Sequence, residues 1–262
     1  LSNKKCIVTG ASSGIGKATC QILTRNGASV IGTARNAKAL ENLKLEGSIM
    51  DYVVADITKD GKCKYVVDVA VEKLGGSLTT LVNNAGVLSG GAMGSPSVGM
   101  ENYDFNMNTN TRAPFKMMIH AIPFLKVTAK DGLGASVVNV SSVNGKQAFP
   151  GCVSYCMSKA AIDQLTRCAS VDLAADGIRV NSVNPGVIET NIHKTSGLSD
   201  DDYAKFLQRS RDETHPISKS LGRVGQPEEV GDLISFLVSD KTKFLTGETI
   251  AIDGGRQNLG AR

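Results

Sequence analysis

Short apolar runs alternate along this chain with longer segments in which apolar positions recur every three or four residues. The short runs fall at residues 5–9, 29–33, 51–54, 80–83, 135–140, 179–184 and 249–252, and several are apolar almost throughout. A strand solvated on one face alternates apolar with polar positions, while a strand covered on both faces has no need to. The longer, helical segments include 14–26, 59–74, 155–175 and 227–239. Pro227-Glu228-Glu229 opens the last of these with proline in the first turn and two acids near the positive end of the peptide dipoles. Alternation over the whole length predicts one α/β domain across residues 1–262. It is a doubly wound Rossmann fold, with a parallel sheet of about seven strands, right-handed crossovers and helices on both faces.

Residues 190–223 depart from the pattern. They are too long for an ordinary connection and carry Asp200-Asp201-Asp202, an amphipathic piece over 203–207, and His215-Pro216. Long excursions of this kind serve as lids or binding loops, and this one is expected to cover a substrate.

Composition narrows the class without changing it. The 262 residues are 41% hydrophobic and 21% charged, with a net charge of +4 and the two signs interspersed. That balance belongs to a globular protein and offers neither a nucleic-acid tail nor a polybasic membrane anchor. No apolar run reaches the length of a membrane span. The six cysteines form no Cys-x-x-Cys pair and no cluster with histidine, so neither a disulfide framework nor a metal site is indicated. Cys152 and Cys156 flank Tyr155 and are read as buried structural thiols. A reduced, cytoplasmic setting is the expectation.

Two constellations carry chemistry. The first strand runs into Thr9-Gly10-Ala11-Ser12-Ser13-Gly14-Ile15-Gly16, and a helix follows. Glycines permit a tight turn and close approach of backbone to a pyrophosphate, and the helix start offers it unpaired amides. At the end of the second strand stands Ala34-Arg35-Asn36. An acid there would hold the 2′-hydroxyl of NAD, whereas Arg35 suits the extra phosphate of NADP. NADP(H) is therefore favoured over NAD(H). Asp56 and Ile57, after the third strand, are positioned to meet an adenine.

The second constellation is Tyr155, Lys159 and Ser142. Tyr155 and Lys159 are one helical turn apart and share a face, and Ser142 closes the strand-like run Val137-Val138-Asn139-Val140-Ser141-Ser142. A free phenol has a pKa of about 10, and a fixed cation beside it is expected to lower that value. The tyrosine could then exchange a proton with an alcohol or carbonyl oxygen. Taken alone, the pair also fits an ordinary surface helix.

Together these residues resemble the short-chain dehydrogenase/reductase family over essentially the whole chain. Its glycine signature matches residues 9–16, and its Asn-Asn-Ala-Gly signature matches Asn83-Asn84-Ala85-Gly86. Its catalytic serine, tyrosine and lysine match Ser142, Tyr155 and Lys159, and its asparagine, carried in a helix, matches Asn110. Its Pro-Gly turn matches Pro185-Gly186, with Ile188 and Thr190 following for the nicotinamide carboxamide and a nearby phosphate. Thr79 stands where many members carry Asp. The resemblance implies hydride transfer between nicotinamide and a carbonyl carbon or secondary alcohol. Tyr155 would be acid or base, Ser142 would hold the substrate oxygen, and Lys159 would bind the ribose. Asn110 would hold a water that completes a proton relay.

The resemblance is nearest to 3-oxoacyl-thioester reductases, with steroid and small-ketone reductases close by. A homotetramer or homodimer built on the Tyr155 helix and the 227–239 segment is implied too. Specificity is expected from residues 143–153 and 190–216, which hold Asn144, Lys146, Gln147, Phe149, Val153, Ile192, His193, Lys194, Tyr203 and Phe206. Lys146, Lys194 or Lys205 could meet an anionic carrier. Two alternatives remain: an NAD-dependent alcohol or steroid dehydrogenase, and a non-catalytic nucleotide-binding regulator.

Overall fold

In the computed structural model, which describes residues 1–259, seven strands form one parallel sheet in the order β3-β2-β1-β4-β5-β6-β7. The last three residues of the expected 1–262 domain lie outside the described residues. The strands are β1 (Lys5–Thr9), β2 (Ser29–Ala34), β3 (Asp51–Val54), β4 (Thr80–Asn83), β5 (Ala135–Val140), β6 (Ile178–Pro185) and β7 (Thr249–Ile252). The helices are α1 (Gly14–Arg25), α2 (Ala37–Leu45), α3 (Lys62–Lys73), α4 (Met100–Met107), α5 (Ala113–Lys130), α6 (Val153–Asp172), α7 (Ile192–Thr195), α8 (Asp200–Arg209), α9 (Pro216–Leu221) and α10 (Pro227–Val238). One core, with Ile7, Leu81, Met117 and Val137, joins the sheet to the face carrying α3 and α5. The other, with Val8, Leu23, Val138 and Ile234, joins it to α1, α2 and α10. Alternate residues of the same strands feed the two cores, which is why the strands read as unbroken apolar runs.

The boundaries differ from the periodicity in physically legible ways. The helix expected from residue 59 begins at Lys62, because Asp56 folds the preceding segment into a turn that takes Thr58 N at 3.0 Å, and Gly61 then enters at φ +72°. Helix α6 starts before Tyr155, at Val153, and stops at Asp172. A short 3₁₀ turn and Gly177 at φ +72° then reverse the chain into β6. Thr79 ties β1 to β4 by accepting from Lys5 N at 2.8 Å and donating to Lys5 O at 3.1 Å, a hydroxyl doing both halves of the job.

Candidate active site

The C-terminal ends of the strands open into a cleft of about 1400 Å³. Its phosphate end is the turn between β1 and α1. Gly10 (φ +67°) and Gly14 (φ +51°) take conformations that side chains resist. A Cβ on Gly10 would stand 2.8 Å from Ala85 Cα, and one on Gly16 would stand 2.2 Å from Gly10 O. No side chain caps α1 at Ser13, so its first amides remain open toward the cleft. A dinucleotide pyrophosphate fits such a cradle of bare backbone.

Asn84 holds this turn to β4. Its amide donates to Thr9 O at 2.9 Å, while Thr9 Oγ1 accepts from the backbone amides of Asn84 and Ala85 at 3.0 Å each. Asn83, expected at the cofactor, instead points into the sheet and donates to Asn139 Oδ1 at 2.9 Å. Strand alternation sends neighbouring side chains to opposite sides, so Asn84 is the one that lines the cleft. Gly16 is likewise behind the wall, as a close-packing position.

Ser142, Tyr155 and Lys159 come together at the other end, all three buried and all three on the cleft wall. The net direction for the tyrosine differs from the expected lowering, because burial dominates. Burial pushes Tyr155 up to about 12, and the group that pulls it back is the Ser142 hydroxyl. Lys159 Nζ stands 5.7 Å from the phenol ring centroid and donates to Val140 O at 3.0 Å. Burial brings the ammonium down to about 8, against a partial opposing pull from Asp163. At neutral pH the arrangement is a phenol beside an ammonium.

The expected helical site of Asn110 is a π-helical turn, Asn108–Arg112, between α4 and α5. Such widened turns recur at functional sites. Asn110 is buried and does not line the cleft. Its Oδ1 accepts from Val87 N at 2.8 Å, and its amide donates to Val87 O at 2.9 Å and Ser158 Oγ at 3.0 Å. Ser158, between Tyr155 and Lys159 on α6, donates in turn to Tyr155 O at 2.7 Å. Asn110 Oδ1 and Lys159 Nζ flank Gly86, where a Cβ would lie 3.4 Å and 3.5 Å from them.

Behind Ser142 lies a buried network that the sequence did not single out. Asp163, one turn beyond Lys159, accepts from Asn184 Nδ2 at 3.0 and 2.9 Å and from Ser182 Oγ at 3.3 Å. Asn184 Nδ2 also donates to Ser142 O at 2.9 Å. Burial pushes the Asp163 carboxyl up, and hydrogen bonds from Ser141, Asn184 and Ser182 oppose the shift.

Gly10, Ser12, Ser13, Gly14, Ile15, Arg35, Asp56, Ile57, Ala85, Gly86, Pro185, Gly186, Ile188 and Thr190 all line the same cleft. The excursion 190–223 folds into α7, α8, a π-helical turn (Ser210–Thr214) and α9, and its first half forms part of the cleft wall. Its ties include the following. His215 Nε2 accepts from Val187 N at 3.0 Å, and Tyr203 Oη donates to Thr190 O at 2.9 Å.

Asn144, Phe149, Ile192, His193 and Phe206 face the cleft as expected, whereas Val153, Lys146, Gln147 and Tyr203 do not. Lys146 donates to Thr249 O, and Gln147 donates to Gln257 O at 2.7 Å, so both tie loops together. Lys205 is exposed, and the side chain of Lys194 lies outside the described residues. Cys152 and Cys156 are half-buried, not buried, and Cys152, immediately before α6, lines the cleft. Phe105, Thr109 and Arg256 also line it without having been anticipated. They come from distant segments, and only the fold brings them near.

A family profile described as enoyl-(acyl carrier protein) reductase matches residues 10–257. A 3-oxoacyl-(acyl-carrier-protein) reductase of Thermotoga maritima is 36% identical over 260 residues, covering 97% of this chain and 98% of its own. An L-xylulose reductase of Caenorhabditis elegans is 34% identical over 259 residues, covering 98% and 97%. Among solved structures, a short-chain dehydrogenase/reductase of unknown function from Caenorhabditis elegans, crystallised with cofactor, superposes with a TM-score of 0.88. Its sequence identity is 32%, and the match covers 99% of this chain and 97% of that one.

Proposed function

The chain belongs to the short-chain dehydrogenase/reductase family, and on that premise we propose that it is an NADP(H)-dependent oxidoreductase acting on a carbonyl or secondary alcohol, with Tyr155 as general acid and base. The observation that carries this reading is one cleft lined both by the uncapped glycine turn and by Ser142, Tyr155 and Lys159. A nicotinamide bound there supplies or accepts the hydride. Ser142 donates a hydrogen bond to the substrate oxygen and orients it. Tyr155 keeps its proton at neutral pH, because burial holds it up to about 12, and so serves as the acid in reduction. Lys159 would bind the ribose, and a water held by Asn110 would link Lys159 to solvent and so return a proton to the phenol. Oxidation, the reverse reaction, would require Tyr155 to start without its proton.

The NADP preference is supported by Arg35, exposed on the cleft wall at the end of β2, with no acid at Ala34 or Asn36. Asp56, the carboxylate across from it, has Oδ1 engaged by Thr58 N and by Thr58 Oγ1 at 2.7 Å. The substrate reading is a 3-oxoacyl thioester, a steroid or a small ketone; the named relatives act on an acyl-carrier thioester and on a keto sugar. No helix of the described residues is long and apolar enough to cross a membrane. A cytoplasmic homotetramer or homodimer completes the proposal. It is supported by the exposed apolar Phe115 and Ile119 of α5, Met157 of α6 and Phe236 of α10; light scattering tests it.

The test of function is nicotinamide oxidation with NADPH and NADH over a panel of carbonyls, in wild type and Arg35→Ala. NADPH is expected to be preferred, and the variant is expected to lose roughly 10–100-fold in kcat/KM with NADPH alone. A preference for NADH that Arg35→Ala leaves unchanged would return the reading to an NAD-dependent dehydrogenase. Absence of turnover across the panel would favour a non-catalytic nucleotide binder.

A further inference from the structure

At the mouth of the substrate half stands a cation that no carboxylate of the described residues pairs with. After β7, Gly254 and Gly255 take φ values of +63° and +86° and turn the backbone so that Arg256 lines the cleft, half-buried. Its guanidinium carbon lies 5.0 Å from the ring centroid of Phe149, in the loop that leads into Tyr155. Among the described residues, Arg256 makes no side-chain hydrogen bond and no ion pair. The acid nearest in sequence, Asp253, is committed elsewhere. Its two oxygens accept from Gly255 N at 3.0 Å and Gln257 N at 2.7 Å, closing the turn that presents the arginine.

The surroundings reinforce the asymmetry. The only carboxylate on the cleft wall among the described residues is Asp56, beside β3 at the edge of the sheet. Burial, the largest influence, disfavours the charged form of Arg256; Asp253, in the turn below, partly offsets this without pairing with it, and Arg209 adds like charge. His193, packed at 4.4 Å on Phe206, is held neutral by burial and supplies no second cation. A guanidinium partly removed from water and left unpaired is costly unless something brings it a partner. Stacking on Phe149 keeps its planar fork in place, and a planar fork matches a carboxylate or phosphate.

We propose that Arg256 anchors an oxyanion, carboxylate or phosphate, carried by the carbonyl substrate at the end remote from its reacting carbon. This rests on the reductase reading above and narrows it to anionic ketones. Phe149 supplies an apolar surface beside the anchor on the same cleft wall.

The test compares matched pairs, levulinate with its methyl ester and dihydroxyacetone phosphate with dihydroxyacetone, in wild type, Arg256→Gln and Arg256→Lys. Wild type is expected to favour at least one anion over its neutral partner. Arg256→Gln should raise KM for that anion roughly 10–100-fold with kcat little changed, and should leave the neutral partner unaffected. Arg256→Lys should restore part of the loss. The pair that responds identifies carboxylate or phosphate as the source. Equal effects on charged and neutral partners, or no preference in wild type, would overturn the proposal while leaving the reductase intact. If no ketone is turned over, the reductase reading fails. Calorimetric binding of levulinate and of dihydroxyacetone phosphate then decides the anchor by itself: loss of binding in Arg256→Gln supports it, and equal binding or none in wild type rejects it.

Discussion

On the floor of the cleft, Ser142, Tyr155 and Lys159 are buried, with Asn110 buried just behind them, and neighbouring backbone groups meet much of what they offer. On the cover, His193, Phe206 and Arg256 are half-buried, and among the described residues the arginine side chain packs on a ring face without a hydrogen bond or ion pair. The floor is held before any ligand arrives, as proton transfer requires, because misplacement of a reacting group by an ångström can cost about a hundredfold. The cover leaves its groups for the ligand to satisfy. Variants of the floor should therefore act on kcat, and variants of the cover on KM. The largest expected effect is Tyr155→Phe, which keeps the ring and deletes the proton. Turnover should fall roughly 10²–10⁴-fold, with dinucleotide affinity by fluorescence titration unchanged. Turnover near wild type would remove Tyr155 from the chemistry.

Asp163→Ala asks whether the floor depends on support it does not display. The change leaves the Asn184 amide short of an acceptor, and Asn184, together with Gly145 N, holds Ser142 O. Unfolding by denaturant should show a loss of about 1–3 kcal/mol, and kcat should fall about 10–100-fold with KM steady. A change in KM alone would mean that Ser142 keeps its place without this network.

The pH profile is a gentler probe of the same floor. Burial lowers Lys159, so its ammonium is intact below about 8 and is lost above it. Tyr155, raised to about 12, keeps its proton through that range. Reductive kcat/KM should be level up to about pH 8 and then fall by up to about tenfold per unit, a limb that belongs to the lysine. A profile level to about pH 10 would show that the charge on Lys159 is not needed, or that bound ligand restores it.

The floor was legible in the sequence to a degree the cover was not. Tyr155 and Lys159 lie on one helix face by spacing alone, and the glycine turn falls between an apolar run and a helix. What spacing cannot give is environment. It placed Lys159 beside Tyr155 but not the burial that outweighs its charge, nor the alternation that turns Asn83 away and Asn84 inward. Asn110 could be located, but the π-helical turn that carries it depends on Val87 and Ser158, far away in sequence. Arg256 was invisible for the same reason: nothing near it in sequence says that β7 ends beside Phe149.

The smallest expected effect tests the cover. Helix α8 is started by Ser199, whose Oγ accepts from Asp202 N at 3.1 Å, and three acids occupy its first turn. It is pinned to the chain leaving β6 through Tyr203 Oη and Thr190 O. Tyr203→Phe keeps the ring and deletes that hydroxyl, a loss of about 0.5–1.5 kcal/mol between neutral partners. If α8 only closes over bound substrate, KM should rise a few-fold, kcat should hold, and amide exchange should quicken within residues 190–223 alone. A fall in kcat as deep as that of Asp163→Ala would show that the cover helps hold the reacting groups. The division of labour would then fail, because Thr190 would be passing the position of α8 to the cleft floor through Ile188 and Pro185.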